Sequence, residues 1–541
     1  MDPHASAQVG IILSTLPDLE EATSLVRIYF RYVHWLYSVV SEKQIGEDLA
    51  LLWRPRDEGT PYPTAQRMAV VVMVLALGAL FSPNRSHTST LPQHLYDASR
   101  QLLDHGLYLR HFTLSGVQAL HLAVSFLANT RDSYMAQEGW VLLGTAGRLA
   151  QAQGLHIDGS KWSLPAEELE SRRRVFHELL MYDRLQALAQ GRPVFAASST
   201  FNTQKPTNIS AFNQQKYSLA PLFEAIVVGV SNPSFRYSEA LRLDRAIREV
   251  EGQAPPSLRG GLYARLNHHQ DTLGPHSPEP AHSLHTAVQR HMHTLVVNKA
   301  LLFLHRPWLG HILSQNIPEP LNSGFGISFS ASIASAEALV ENMSSALIEC
   351  PHEARSFWFF IFHTFSAVVV LAACIIRAPQ SLHVLRTWEA LQAATRIFVE
   401  WPQGPLDTFA CRALPIVSQL HAKARDLLQS TSAFSPGGTS GEEHDGHIRE
   451  LLGFRSTAAG QSRPGTPLLP SSSLSQLPSP PTASHTFPGP SPSLAFSNGQ
   501  ALEWDPSVLS LQNLPHMDLD GLLEGNAFQG DFVTQGLDWI F

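Results

Sequence analysis

The chain has 541 residues, 44% of them hydrophobic, with a formal net charge of −8. That length and apolar content allow a large buried core, while the charge balance excludes a broadly basic nucleic-acid footprint. Seven acids and no Lys or Arg fall in residues 501–541, so residues 1–500 carry a net charge of only −1. The three cysteines, Cys350, Cys374 and Cys411, are too few and too scattered for a disulfide framework or a cysteine metal cluster, and they fit a reducing compartment. The first 17 residues show neither a charged leader nor a cleavage site and read as a short N-terminal tail ahead of the first helix.

From residue 18 to about 430 the pattern is helical. Asp18 follows Leu16-Pro17 and precedes Leu25, Ile28, Tyr29, Tyr32, Val33 and Leu36 at three- and four-residue steps. Further helices are predicted near 64–81, 92–110, 113–128, 133–153, 165–190, 217–230, 236–252, 282–305, 328–349, 354–377, 382–400 and 408–428. Segments 194–216, 253–281 and 322–328 read as loops. No alternating strand pattern and no repeat of constant period occurs, so the fold class is all-α.

Residues 357–376, FWFFIFHTFSAVVVLAACII, are long enough to span a bilayer, yet His363, Thr364 and Ser366 interrupt them. A fully buried helix of a large helical domain has the same appearance. The stretch 170–193, ESRRRVFHELLMYDRLQALAQGRP, raises a second question, whether its three adjacent arginines touch DNA. Glu168 lies four residues before Arg172, and Glu170 four before Arg174, the favoured order for helical ion pairs. That local neutralisation favours a structural role. Val175, Phe176, Leu179, Leu180 and Tyr182 make an apolar face, and Gly191 then Pro193 stop the helix. Asp183 and Arg184 are expected to pair with Arg173, Arg174 or Arg192 at a helix junction.

Other chemistry is sparse. His268, His269, His276, His282, His285, His291 and His293 are clustered, but no cysteine and few acids accompany them, and no metal site is assigned. Phosphate-loop, dinucleotide, nucleophile-elbow and HExxH signatures are absent, so no catalytic or cofactor-binding residues are assigned.

Residues 431–500 are rich in Ser, Pro, Gly and Thr and read as a disordered linker. Ser435, Thr466, Ser479 and Ser491 each precede proline there. In residues 501–541 the acids interleave with large apolar groups, among them Trp504, Leu519, Leu522, Phe528, Phe532, Leu537, Trp539 and Phe541. Mutual repulsion of the acids keeps such groups from collapsing together and leaves them available to a partner's groove. This is the pattern of an acidic activation tail; the alternative is a segment that docks back onto the helical domain.

The stretch LAQAQGLHIDGSKW (149–162), followed by 170–193, resembles the middle regulatory domain of fungal zinc-cluster transcription factors. The matching positions are Gly154, Leu155, His156 and Asp158, then Arg173, Arg174 and Phe176, then Asp183 and Arg184, and finally Gly191, Arg192 and Pro193. Residues 16–40 and 362–379 are similar to that domain's opening and late buried helix, so the resemblance spans roughly 16–430. It implies an all-α regulatory and dimerising domain of a nuclear RNA polymerase II regulator, and it makes the apolar stretch a core helix rather than a membrane span. Three departures stand out. His177 replaces an expected aromatic residue. The acid usual after Gly-Arg-Pro is missing from Phe201-Asn202-Thr203-Gln204. The N-terminal six-cysteine cluster that binds zinc and DNA is not in this sequence, so no zinc is expected here. DNA contact would come from a missing module or from a zinc-cluster partner in a homo- or heterodimer, and the tail would bind the transcription machinery or a coactivator. The reading from a different class is an all-α small-molecule-binding protein or enzyme.

Overall fold

The computed structural model describes residues 3–54, 63–84, 89–130, 134–260, 280–315, 317–401 and 409–430. The linker 431–500, the tail 501–541 with all its named aromatic and leucine positions, and His268, His269 and His276 lie outside the described residues. Those described form α-helices and short 3-10 turns with no strand, so the all-α expectation holds.

The apolar stretches become the interior. Helix α4 (Ala65–Leu80) is buried along almost its whole length, as is α6 (Leu114–Asn129). Around them pack α2 (Leu19–Tyr32), α5 (Leu91–His105) and α7 (Tyr134–Ala152). Asp18 caps α2 by accepting from the Glu21 N–H at 2.9 Å, which satisfies an otherwise orphan donor. Gly78 lets α2 and α4 approach closely, since a Cβ there would collide with the Leu25 carbonyl.

A second group is built on α11 (Pro280–Ser314), α12 (Gly326–Glu349) and α14 (Trp358–Arg377), closed by α15 (Val384–Val399) and α16 (Phe409–Ser430). Helices α8 (Ala166–Gln190), α9 (Ala211–Val230) and α10 (Tyr237–Gly252) join the two groups. Helix α14 alone among the described residues is long and apolar enough to cross a membrane. In its most apolar window 89% of the residues are buried inside the protein, which makes it a core helix.

Several boundaries depart from expectation. The segment read as a tail contains α1 (Pro3–Ser14), whose Val9 and Ile12 are buried and which packs on α5. Helix α3 (Glu42–Leu52) was not anticipated either; Ser41 caps it, and Ile45, Leu49 and Leu52 supply its buried face. Helix α9 starts at Ala211 instead of 217, because Ser210 caps it and because the polar residues Gln215 and Lys216 are buried. The predicted helix 354–377 is two helices. Phe357, extended and fully buried, separates α13 (Pro351–Ser356) from α14.

Candidate functional site: the charge braces of helix α8

Pro165 precedes α8, and Glu167 and Glu168 lie in its first turn, where acids complement the helix dipole. The three arginines then diverge. Arg172 donates to the Gln153 carbonyl at 2.8 Å and stands 5.2 Å over the Trp162 ring. Arg173, 6% exposed, grips Asp158 through two bonds of 2.8 Å and also reaches Glu170 at 3.0 Å and Gln204 at 3.1 Å. The expected Glu170–Arg174 pair gives way to Glu170–Arg173, because Arg173 is the arginine that faces the 154–162 turn. Arg174 is half-buried. Two of the three cations are therefore spent inside the domain, and they form no basic face for DNA.

Asp158 is the centre of this brace. Gly154, at φ 72°, makes the left-handed turn that brings Asp158 under α8. The Asp158 carboxylate accepts from Arg173 and from the N–H groups of Gln204 and Ser160. The Arg173 hydrogen bond holds its pKa well below the usual carboxylate range. Glu170, raised by burial, is brought below its ordinary value by the Thr207 N–H and by Arg173. Where an acid was expected in 201–204, two amides act. The Asn202 side chain accepts from the Asp158 N–H at 2.9 Å, and Gln204 accepts from Arg173. His177, in place of an aromatic, donates from Nε2 to the Thr203 carbonyl at 3.1 Å, with burial lowering its pKa and keeping it neutral.

A second brace lies one and a half turns before the helix end. Arg184, 1% exposed, pairs with Glu224 of α9 and donates to the carbonyls of Leu180 and Ala196 at 3.2 and 3.1 Å. Glu224 also accepts from the Ser198 N–H at 2.7 Å and its hydroxyl at 2.6 Å. Arg184 therefore pairs with α9 and not with Arg173, Arg174 or Arg192.

Asp183 likewise has no arginine partner. Among the described residues its one hydrogen bond is from the Phe195 N–H, at 3.1 Å, and burial, outweighing that bond and the nearby Arg184 charge, raises its pKa to about 7. A carboxyl whose folded pKa exceeds its unfolded value stabilises below the unfolded value, and that stability is lost as pH rises through 7. Asp183→Asn keeps an acceptor for Phe195 without the buried charge. It is expected to stabilise the protein by up to about 4 kcal/mol at pH 8 and by little at pH 4, read as melting temperature against pH.

The third brace was not anticipated. Glu178, on the buried face of α8, accepts from Lys216 Nζ at 2.7 and 2.9 Å and from the Tyr217 hydroxyl at 2.6 Å. Lys216 also donates to the Leu36 carbonyl at 3.1 Å. Burial would raise the Glu178 pKa, but the Lys216 charge and these hydrogen bonds hold it below its ordinary value. Its one sequence signal was an acid set within the apolar run 175–182.

The end of α8 follows its sequence. Gly191 takes the left-handed C-cap at φ 60°, which favours glycine. Arg192 donates its N–H to the Ala187 carbonyl and stacks 4.7 Å over the Trp140 ring, and Pro193 lies exposed in the turn beyond. Nearby, Ala187, Leu188, Ile226, Phe303 and Arg306 line a cavity of about 40 Å³, room for a few waters.

One further constellation bears on catalysis. His305 bonds Asp244 at 3.0 Å and Ser328 at 2.8 Å, the residue types of a nucleophilic relay. His305 and Ser328 are both fully buried, and Ser328 donates onward to the Tyr237 hydroxyl. The group is a core hydrogen-bond network. Among the described residues no group of three or more His, Cys, Asp or Glu is placed to hold a metal ion.

Residues 26–243, which contain all three braces, match the model of the fungal specific transcription factor domain. An uncharacterised transcriptional regulatory protein of Schizosaccharomyces pombe is 25% identical over 465 residues, covering 79% of this chain and 56% of that protein. An ABC-transporter-regulating transcription factor of Aspergillus oryzae is 25% identical over 398 residues, 68% of this chain and 42% of its own length. A pyriculol/pyriculariol biosynthesis cluster transcription factor of Pyricularia oryzae is 33% identical over 103 residues, 19% of this chain and 14% of that protein. Over residues 26–243 the chain is similar to that domain, and it spans about half the length of the first two of these relatives.

Proposed function

We propose that this chain regulates RNA polymerase II transcription in a fungal nucleus, with helices 18–430 as the regulatory part and residues 501–541 as the activating segment. The observation that carries the reading is the match over 26–243, in which Asp158, Arg173 and Arg184 of the motif act as internal braces. A domain that spends Arg173 and Arg184 on its own packing is a scaffold for regulation and assembly. DNA contact is then the task of a zinc-cluster module, held by another segment or by a dimer partner. The acidic, aromatic composition of 501–541 suits the hydrophobic groove of a coactivator. Fused to a heterologous DNA-binding domain, residues 501–541 are expected to activate a reporter. Phe532→Ala, Trp539→Ala and Phe541→Ala together are expected to return it to background; a wild-type fusion with no signal refutes the reading.

A further inference from the structure

Helix α11 carries a lysine where its sequence is otherwise largely apolar. Within LVVNKALLFL, residues 295–304, Lys299 is 7% exposed, and its neighbours Val297, Ala300, Leu301 and Leu304 are fully buried. Among the described residues its Nζ makes a single hydrogen bond, a long one of 3.5 Å to the Leu185 carbonyl of α8, and no ion pair. Buried ammonium groups are ordinarily held by an acid. The titratable neighbour of Lys299 on α14 is instead His363, an imidazole that burial keeps neutral and that offers no counter-charge.

The packing just beyond Lys299 is also weak. Further along α11, Phe303, Arg306 and Pro307 line the cavity of about 40 Å³, together with Ala187 and Leu188 of α8 and Ile226 of α9. Pro307 stands inside the helix and lacks the N–H that would bond the Phe303 carbonyl, so α11 is least braced in this turn. A gap, a missing backbone donor and a buried amine without an acid thus fall together on the seam where α11 meets α8 and α9. Thin packing of this kind lowers the free energy of local opening.

The other charges on the helices around α11 are already paired. Glu224 of α9 is held by Arg184, Asp244 of α10 by Arg248 and His305, and Glu337 and Glu349 of α12 by Arg386 and Arg290. Burial keeps His293 of α11 neutral, and Arg306 keeps its charge. Asp183 of α8, two residues before Leu185, answers pH with the opposite sign, since its ionisation loosens the fold as pH rises. We propose that the seam is a proton-operated catch: in the closed domain Lys299 lies between α8 and α14 as a neutral amine, and on taking up a proton it draws α11 off Leu185 so that the ammonium reaches water. Burial lowers the Lys299 pKa to about 7 in the closed domain, against about 10.4 for a hydrated lysine. Between those values the open form holds a proton that the closed form lacks. Opening is therefore favoured as pH falls from about 10 toward 7, and the effect levels off below.

The test is amide hydrogen exchange on the full-length protein at about pH 6 and about pH 8.5, corrected for the intrinsic pH dependence of exchange. Peptides covering 185–191 and 295–307 are expected to be about thirtyfold less protected at the lower pH, and peptides of α4 and α6 to change much less. Lys299→Met fills similar space without a charge. It is expected to hold the seam closed at both pH values and to abolish the difference. Seam protection that is independent of pH in the wild type overturns the proposal, whatever the variant does. So does protection that falls toward the higher pH, which assigns the seam to Asp183, and so does a loss shared equally by α4 and α6, which is global unfolding. A pH difference that survives in Lys299→Met, or a variant less stable than wild type at the lower pH, overturns it as well.

Discussion

Lys216→Met is expected to destabilise the helical domain by about 3–5 kcal/mol, the cost of leaving a buried carboxylate without its cation. Glu178 and Lys216 are 2% and 6% exposed, and the Glu178 oxygens have no bulk water to turn to. Tyr217 would remain as a donor to Glu178, and Ser38, at 3.5 Å, as a weak one. With Lys216 gone, burial would push the Glu178 pKa above its unfolded value. The variant's deficit should therefore be largest at neutral pH and shrink as pH falls toward the unfolded carboxyl range. Adding Glu178→Gln should recover much of the loss, since it removes the stranded charge; urea unfolding of the two single variants and the double variant measures this. A Lys216→Met protein as stable as wild type at pH 7 would show that the pair does not hold α8 to α9.

Arg173→Ala is expected to cost about 3–5 kcal/mol, while Arg174→Ala is expected to cost less than about 1 kcal/mol. The difference comes from their surroundings, since Arg173 serves Asp158, Glu170 and Gln204 from a buried position and Arg174 is half-buried. The Asp158 pKa is depressed in the folded protein, so its contribution is present above the unfolded carboxyl value and lost as pH falls through the folded one. The gap between wild type and Arg173→Ala should accordingly close as the medium is acidified below pH about 4. If the arginines served DNA, both substitutions would leave the melting temperature alone and weaken DNA binding alike. Thermal melts of the two variants separate these outcomes.

Much of the fold is legible in the sequence. The helices from α4 to α8 fell close to their predicted places because apolar residues recur there at helical spacing and because Gly191 and Pro193 stop α8 where the chain turns. The 357–376 stretch was ambiguous by composition, and only its packing against α12, α15 and α16 decides that it is core. The charge partners were the least legible part. Helical spacing suggested Glu170 with Arg174, but which arginine faces inward depends on the turn at Gly154, a tertiary contact. Glu178–Lys216 and Arg184–Glu224 link residues 38 and 40 positions apart on different helices, beyond the reach of a local pattern. The loop predicted over 194–216 takes in Lys216, which the buried Glu178 opposite instead draws inside as part of α9.

The burial of α14 has a consequence for how the polypeptide is made. Helices α11, α12 and α13 precede it and α15 and α16 follow, and all five lie against it. Translation from the N-terminus therefore delivers this oily rod when part of its shelter has yet to leave the ribosome. In that interval its greasiest side has no home of its own, and nascent-chain chaperones or membrane-targeting factors that read bare hydrocarbon compete with the last two helices for it.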